Sequence, residues 1–197
     1  MMKPTKTTTC SDTPHSPTSR RVHCTQMQLE FSHTCHSIAN SIVFVKYDYN
    51  THYIFATPIL DVKDETIIKA FDEIFTELTQ KGYKPTFNVT DNQATTPIKA
   101  YLKEAGCRWQ LVEPTNHRVN AAERAIQTFK NHFISGLCST DSEWLVQLWD
   151  QFAKQAVITL NILCTSHIDP TKLAYHQLNG HKYNWNTYPM PPLEHKP

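Results

Sequence analysis

The first part of the chain carries short apolar stretches broken by polar positions in three segments, residues 22–31, 41–49 and 53–60. Such stretches, rich in β-branched and aromatic side chains, are typical of β-strands. The polar run Asn50-Thr51-His52 lies between the second and third segments and predicts a turn. The pattern therefore predicts three consecutive antiparallel strands.

The apolar spacing changes from a strand-like to a helical period at residue 64. Apolar residues then recur at intervals that place them on one face of a helix, and these residues are Ile67, Phe71, Ile74, Phe75 and Leu78. Gly82 predicts the end of this helix. We expect an amphipathic helix over residues 64–80 that packs on the sheet.

Strand and helix then alternate. Residues 85–91 predict a fourth strand in which Phe87 and Val89 face inward. Residues 96–105 predict a helix with a proline in its first turn, and residues 109–112 predict a fifth strand. This alternation predicts that the fourth and fifth strands join the first three in one mixed sheet.

The second half of the chain predicts three helices. The first covers residues 120–137, and its core-facing residues are Ala122, Ile126, Phe129 and Phe133. A capping box at residues 140–143 predicts the start of a long helix that ends near Leu163. A short helix over residues 170–178 is predicted next, ended by Asn179-Gly180.

These elements predict an α/β domain in which helices flank a mixed five-stranded sheet whose first three strands are antiparallel. The domain covers residues 22–180. Residues 1–21 are rich in Thr, Ser, Pro, Lys and Arg, and we expect a disordered leader there because few apolar side chains offset the entropy of ordering. Residues 181–197 lack periodicity and predict an irregular, truncated tail.

Composition narrows the class of protein. The chain has 197 residues, of which 40% are apolar and 19% charged, and it contains no apolar run of the length that spans a bilayer. The six cysteines are scattered without paired spacing, and the start lacks a signal peptide. Scattered His and Cys near the start, such as His23, Cys24 and Cys35, lack the spacing of a zinc site. We therefore expect an intracellular protein with reduced thiols and no membrane partner.

The net charge of +1 provides no overall attraction for nucleic acid. Residues 96–132 differ, because they contain three more basic than acidic side chains. The basic residues are Lys99, Lys103, Arg108, Arg118, Arg124 and Lys130, and the acidic residues are Glu104, Glu113 and Glu123. This local surplus is consistent with a nucleic-acid surface and also with an ordinary solvated helix face.

Two carboxylates are the candidate chemistry of the chain. Asp91 ends the fourth predicted strand, and Glu123 lies in the first turn of the helix over residues 120–137, with 31 residues between them. Brought together, they form a candidate site for divalent metal ions that promote phosphodiester chemistry. The alternatives are an Asx-turn at Asp91 and a favourable helix-dipole interaction at Glu123.

The segments Thr90-Asp91-Asn92 and 116–130 resemble the catalytic core of a retroelement integrase, most closely the copia-type group of long-terminal-repeat retrotransposons. Asn120-Ala121-Ala122-Glu123-Arg124 is the most specific part of a resemblance that runs from about residue 22 onwards. It implies an RNase H-like fold, Mg²⁺ or Mn²⁺ held by Asp91 and Glu123, and DNA as the partner. It also implies 3′-end processing, strand transfer, homo-oligomers, and a location in the nucleus or a cytoplasmic particle.

The resemblance implies a third carboxylate on the first strand, and Gln26 occupies that position. A neutral amide in place of a carboxylate weakens metal binding and predicts impaired activity. Other candidates are Asp12 in the leader, Asp48 on the next strand, and Glu30. Glu30 follows Gln26 by four residues, roughly 13 Å along a strand, and is therefore a poor substitute. Asp48 matches a family position that is usually polar and is not a ligand.

The resemblance also implies a DNA-facing side of the Glu123 helix. The candidate nucleic-acid contacts are Arg118, Asn120, Arg124, Gln127 and Lys130. Three hypotheses follow: an integrase catalytic core with impaired chemistry, an inactive nucleic-acid-binding remnant of one, and an α/β domain unrelated to nucleic acid. The identity of residue 26 separates the first two.

Overall fold

The computed structural model describes residues 20–28, 42–90, 94–111, 121–139 and 149–189, the first range by its backbone alone. The strands are β1 Arg20–Gln28, β2 Ile42–Asp48, β3 Tyr53–Ile59, β4 Pro85–Thr90 and β5 Arg108–Leu111. The helices are α1 Asp64–Gln80, α2 Thr96–Glu104, α3 Ala121–Ser139, α4 Trp149–Leu163 and α5 Ala174–Asn179. This order confirms a mixed α/β protein.

The strands lie side by side in the order β3-β2-β1-β4-β5. β1 pairs antiparallel with β2 and parallel with β4, so the sheet changes direction at its middle strand. The turn between β2 and β3 is held by the Asp48 carboxylate, which accepts hydrogen bonds from the backbone N–H groups of Asn50 and Thr51 and from the Thr51 hydroxyl. The predicted turn at residues 50–52 is therefore confirmed.

Alternate residues of β2 divide the core into two layers. Phe44 packs with α1, α2 and α5, where the buried side chains include Phe71, Leu78 and Leu102. Val43 and Val45 pack instead with α3 and α4, where Phe129, Phe133 and Phe152 are buried. Each layer covers one face of the sheet, because successive residues of a strand point to opposite faces.

The burial of β4 differs from the prediction. We predicted Phe87 and Val89 as the inward residues, but both are only half-buried, whereas Asn88 is fully buried and Thr90 is 9% exposed. β4 lies inside the sheet between β1 and β5. The burial of each face of β4 therefore depends on the helices that pack above and below it. The alternation of apolar residues along the strand does not show which face those helices cover.

Several element boundaries also differ, by one to four residues. β1 begins at Arg20, so the last two residues of the predicted leader belong to the sheet, with an irregularity in the pairing between Arg20 and Arg21. α5 begins at Ala174 rather than at residue 170. Asp169 instead accepts hydrogen bonds from the backbone N–H and the hydroxyl of Thr171, which closes a turn.

Several predictions concern parts of the chain outside these ranges. They are residues 1–19 of the predicted leader, the capping box at 140–143, and the end of the predicted tail at 190–197. Within the described residues, no helix is long and apolar enough to cross a membrane. The three cysteines described there, Cys107, Cys138 and Cys164, form no disulfide.

Candidate functional site

Glu123 lies in the first turn of α3 and is half-buried. The helix is anchored by Ala122, Ala125, Phe129 and Phe133, all of which are buried. It contacts both β1 and β2. This packing holds the Glu123 backbone against the middle of the sheet, and the positive end of the helix dipole favours its negative charge.

β4 ends at Thr90, the residue directly before Asp91. Asp91 itself lies outside the described residues, as do Asn92 and Gln93. The predicted pairing of Asp91 with Glu123 therefore remains a prediction. β1 lies between β4, which ends directly before Asp91 in the sequence, and α3, which carries Glu123: β4 pairs with β1 in parallel, and α3 packs on it.

Gln26 lies in β1, and its backbone is paired with that of Phe44 in β2. The residue before it, Thr25, is paired with Val45. Phe44 belongs to the layer of α1, whereas Val45 belongs to the layer of α3. By register, position 25 therefore shares its sheet face with Val45, on the side of α3 and Glu123. Position 26, the predicted place of the first carboxylate, shares the opposite face with Phe44.

The other candidates for the first carboxylate lie in different environments. Asp48 is fully buried, and its carboxylate binds the turn after β2. That role in the turn agrees with a residue that is not a metal ligand. Asp12 and Glu30 lie outside the described residues. In the described part of the chain, no three His, Cys, Asp or Glu side chains are grouped so as to hold a metal ion.

Asn88 in β4 is fully buried, and among the residues that the structure describes neither its amide nitrogen nor its amide oxygen has a hydrogen-bond partner. Burial of an unpartnered amide costs about 1–3 kcal/mol. Asn88 is paired with Val22 of β1, which is itself paired with Asp48. Its position is therefore on the α1 side of the sheet, away from the layer of α3.

The candidate nucleic-acid contacts divide between two sides of α3. Gln127 is exposed and Lys130 half-buried, and these residues follow Glu123 by four and seven positions, which places all three on one side of the helix. Arg124 is also exposed but lies beside Ala121 and Thr128 in a groove on another side. Arg118 and Asn120 lie outside the described residues.

That groove contains side chains that the sequence did not mark as functional. We call it the tyrosine–histidine groove, lined by Tyr47, Tyr49, His52, Arg124, Thr128 and His167 among others, with a cavity of about 620 Å³. Burial raises the pKa of Tyr47 to about 12, so the phenol keeps its proton at neutral pH. No local sequence signal reveals the groove, because His167 comes more than a hundred residues after His52.

Comparisons with known proteins relate the fold to integrases. The chain superimposes on the catalytic core domain of BIV integrase with a TM-score of 0.57 and 13% sequence identity, over 79% of this chain and 92% of that one. It also matches a chain of the simian T-cell lymphotropic virus intasome in complex with PP2A regulatory subunit B56 gamma, with a TM-score of 0.64 and 15% identity.

The second match covers 92% of this chain, which spans 60% of the length of the matched chain. No protein-family model matches the sequence. No curated protein sequence matches it either. At these identities the likeness shows the fold of integrase catalytic cores, and the chemistry must be argued from the residues of this chain.

Proposed function

We propose that this protein is an RNase H-like integrase catalytic core from a copia-type retrotransposon, with impaired activity. Its reaction would remove nucleotides from the 3′ end of element DNA and join that end to a target DNA. The observation that carries the proposal is the position of Glu123, in the first turn of the helix that packs on β1 and β2. Integrase catalytic cores share this overall fold.

Asp91 and Glu123 would hold Mg²⁺ or Mn²⁺. When bound, such ions activate the attacking oxygen and stabilise the leaving oxygen of a phosphodiester. The donor set suits these metals, since both prefer carboxylate oxygens. Glu123 is half-buried, and its helix is fixed by a buried apolar face, which would hold its carboxylate in a defined place. Gln26 in place of a third carboxylate would weaken the metal site.

DNA is the proposed partner. Gln127 and Lys130 lie on the same side of α3 as Glu123, so they would contact phosphates of a DNA strand whose reacting bond lies at Glu123. Arg118 and Asn120 precede the helix and would extend this contact. The protein would act as a homo-oligomer within the cell, in the nucleus or in a cytoplasmic particle.

A second candidate function is nucleic-acid binding without catalysis. Gln26 is the feature that favours it, because a neutral side chain at the first-carboxylate position leaves two carboxylates to balance two divalent ions. The surface of α3 remains available for DNA in this case, since Arg124 and Gln127 are exposed.

The test is Mn²⁺-dependent cleavage and joining of a branched DNA oligonucleotide. The parent chain is compared with Gln26→Asp, with Thr25→Asp and with Glu123→Gln as the inactive control. Thr25→Asp is the matched register control, because positions 25 and 26 are paired with β2 residues of opposite layers. We expect weak or no activity in the parent chain. The resemblance assigns the gain to Gln26→Asp, whereas the sheet register, which puts position 25 on the α3 side, assigns it to Thr25→Asp.

Each other outcome has a defined meaning. A gain of activity in Thr25→Asp alone would show that the first carboxylate belongs at position 25 rather than at position 26. Activity in the parent chain that Glu123→Gln abolishes would show that Gln26 does not impair the site. No activity in any variant, together with retained DNA binding, would favour the non-catalytic function. If Glu123→Gln kept both activity and DNA binding, the proposed site would be rejected.

A further inference from the structure

The tyrosine–histidine groove lies on a different side of α3 from Glu123. Its walls come from the end of β2 and the following turn, from the first turns of α3, and from the segment after α4. On α3 the lining residues are Ala121, Arg124, Ala125 and Thr128, a spacing that defines a single helix side. A cavity of about 620 Å³ is large enough for one nucleotide unit.

The rings of the groove are fixed relative to one another. The ring centroids of Tyr49 and His167 are 5.1 Å apart, and those of His52 and His167 are 5.3 Å apart. A ring nitrogen of His52 lies 3.0 Å from the backbone oxygen of Thr165. The N–H of Ile168 donates to the backbone oxygen of Asn50 at 3.0 Å, which ties the same two segments together. The aromatic wall is therefore preorganised.

The ring surfaces remain accessible. Tyr49 is 37% exposed, and His167 is exposed as well. Flat rings at the rim of a groove provide stacking surfaces for nucleobases, and base stacking tolerates any sequence because every base has a π-face. An unpaired base would meet these rings directly, whereas a base within a duplex is already stacked on its neighbours.

The charge of the groove suits a phosphate. Arg124 lines it, and no Asp or Glu is among its described lining residues. The nearby Asp48 carboxylate is buried and accepts hydrogen bonds from the turn after β2. The Thr128 hydroxyl donates to the backbone oxygen of Arg124 at 2.8 Å. Among the described lining residues, the Arg124 guanidinium is the permanently charged cation. Guanidinium groups contact phosphates through fixed pairs of N–H donors.

We propose that the tyrosine–histidine groove binds an unpaired nucleotide of single-stranded nucleic acid, with its base on Tyr49 and His167 and its phosphate on Arg124. This site would act in addition to the proposed DNA contacts beside Glu123. It requires no metal ion, so it stands whether or not the protein catalyses phosphodiester chemistry.

The test is fluorescence-anisotropy binding of two labelled single strands of equal length, one of thymidines and one abasic. Both carry the same phosphates, so their difference in affinity reports base stacking. The measurements are made in EDTA, where two-metal chemistry cannot run. We expect the thymidine strand to bind about ten-fold more tightly than the abasic strand.

Four variants locate this preference. Tyr49→Ala and His167→Ala should each reduce it, whereas Tyr49→Phe should keep it because the ring remains. Arg124→Gln should weaken the binding of both strands. It should also lower the slope of log affinity against log salt concentration by about one, because one phosphate contact is lost. Trp185→Ala is the matched control, because Trp185 is 56% exposed on the segment after α5 and lies outside the groove.

Equal affinity for the thymidine and abasic strands would overturn the proposal. So would a base preference that survives the double variant Tyr49→Ala/His167→Ala. His167 is an exposed side chain after α4, so its replacement tests the groove even if Tyr49→Ala fails to fold. If a peptide were the natural occupant, none of the groove variants would change the preference between the two strands.

Discussion

Asn161 shows how one side chain joins distant parts of the chain. It is fully buried in α4, and its amide group forms two hydrogen bonds with Ile54 of β3, accepting from the backbone N–H and donating to the backbone oxygen, both at 2.8 Å. β3 is at one end of the strand order, so these backbone groups have no further strand beyond them. The amide takes the place of a neighbouring strand.

Asn161→Leu should lower the free energy of unfolding by about 3 kcal/mol, because it leaves a buried backbone donor and acceptor unsatisfied while it keeps the side-chain volume. The control is Asn179→Leu, where the native amide donates only to the Tyr175 oxygen within the same helix. The measurement is the urea midpoint of each variant. A similar loss of stability in both variants would show that the hydrogen bonds to Ile54 contribute no more than the single bond within α5.

His132 makes stability depend on pH. It is half-buried on α3, and burial lowers its pKa below the ordinary value of 6.5. The unfolded chain therefore binds a proton more readily than the folded one, so stability is complete above pH 6.5 and falls as the pH drops through 6.5 towards the folded pKa.

His132→Gln should flatten this dependence, because the variant has no proton to bind at that position. Urea midpoints between about pH 7.5 and about pH 5.5 would measure it. Asn131→Gln is the control, because Asn131 is an exposed neighbour on α3 that does not titrate. A slope in His132→Gln as steep as that of the control would assign the acid sensitivity to other groups.

At the scale of elements, α3 carries both surfaces that we propose to be functional. Its buried side holds the sheet, its Glu123 side carries the proposed chemistry, and its Arg124 side lines the tyrosine–histidine groove. α4 keeps α3 in place through a close approach at Gly136. A Cβ atom there would lie 2.1 Å from Cζ of Phe152, well inside contact distance.

Gly136→Ala should therefore destabilise the protein by about 1–3 kcal/mol, even though alanine favours helices. The Phe152 ring cannot simply move aside, because it is 6% exposed and packs on Phe133 at a centroid distance of 5.3 Å. Ser135→Ala on the exposed side of α3 is the control. The double variant Gly136→Ala/Phe152→Leu should show less loss than the sum of its single changes, and simple additivity would contradict the proposed clash.

At the scale of the whole molecule, the proposed metal would join segments that are far apart in sequence. Asp91 follows β4 in the sequence and Glu123 lies in the first turn of α3, and both elements adjoin β1. A ligand that binds the folded chain alone stabilises it by mass action, by about 2.7 kcal/mol at a hundred-fold excess over its dissociation constant. Stability should therefore respond to metal even without turnover.

We expect Mn²⁺ to raise the melting temperature of the parent chain and EDTA to reverse the rise. Glu123→Gln should lose the response, whereas Glu104→Gln, at an exposed carboxylate on α2, should keep it. Calorimetry at fixed protein concentration would measure both. An equal response in the two variants would place the bound metal elsewhere.

The sequence alone determined the elements whose signal is local. The bounds of α1 and the turn between β2 and β3 followed from apolar spacing and turn residues, and the α/β order followed from their succession. Glu123 could be selected because its motif is contiguous. Such features depend on neighbours within a few residues, which hydrophobic periodicity reports directly.

Tertiary structure decided what depends on residues far apart in the chain. It buried Asn88 while Phe87 stayed half-exposed, it placed Arg124 in a groove with residues of β2 and of the segment after α4, and it brought His167 to His52. The register of β1 likewise assigned positions 25 and 26 to opposite layers. The physical reason is that the burial of a residue depends on which distant elements pack over its face of the sheet, and a local pattern of apolar and polar residues does not report that packing.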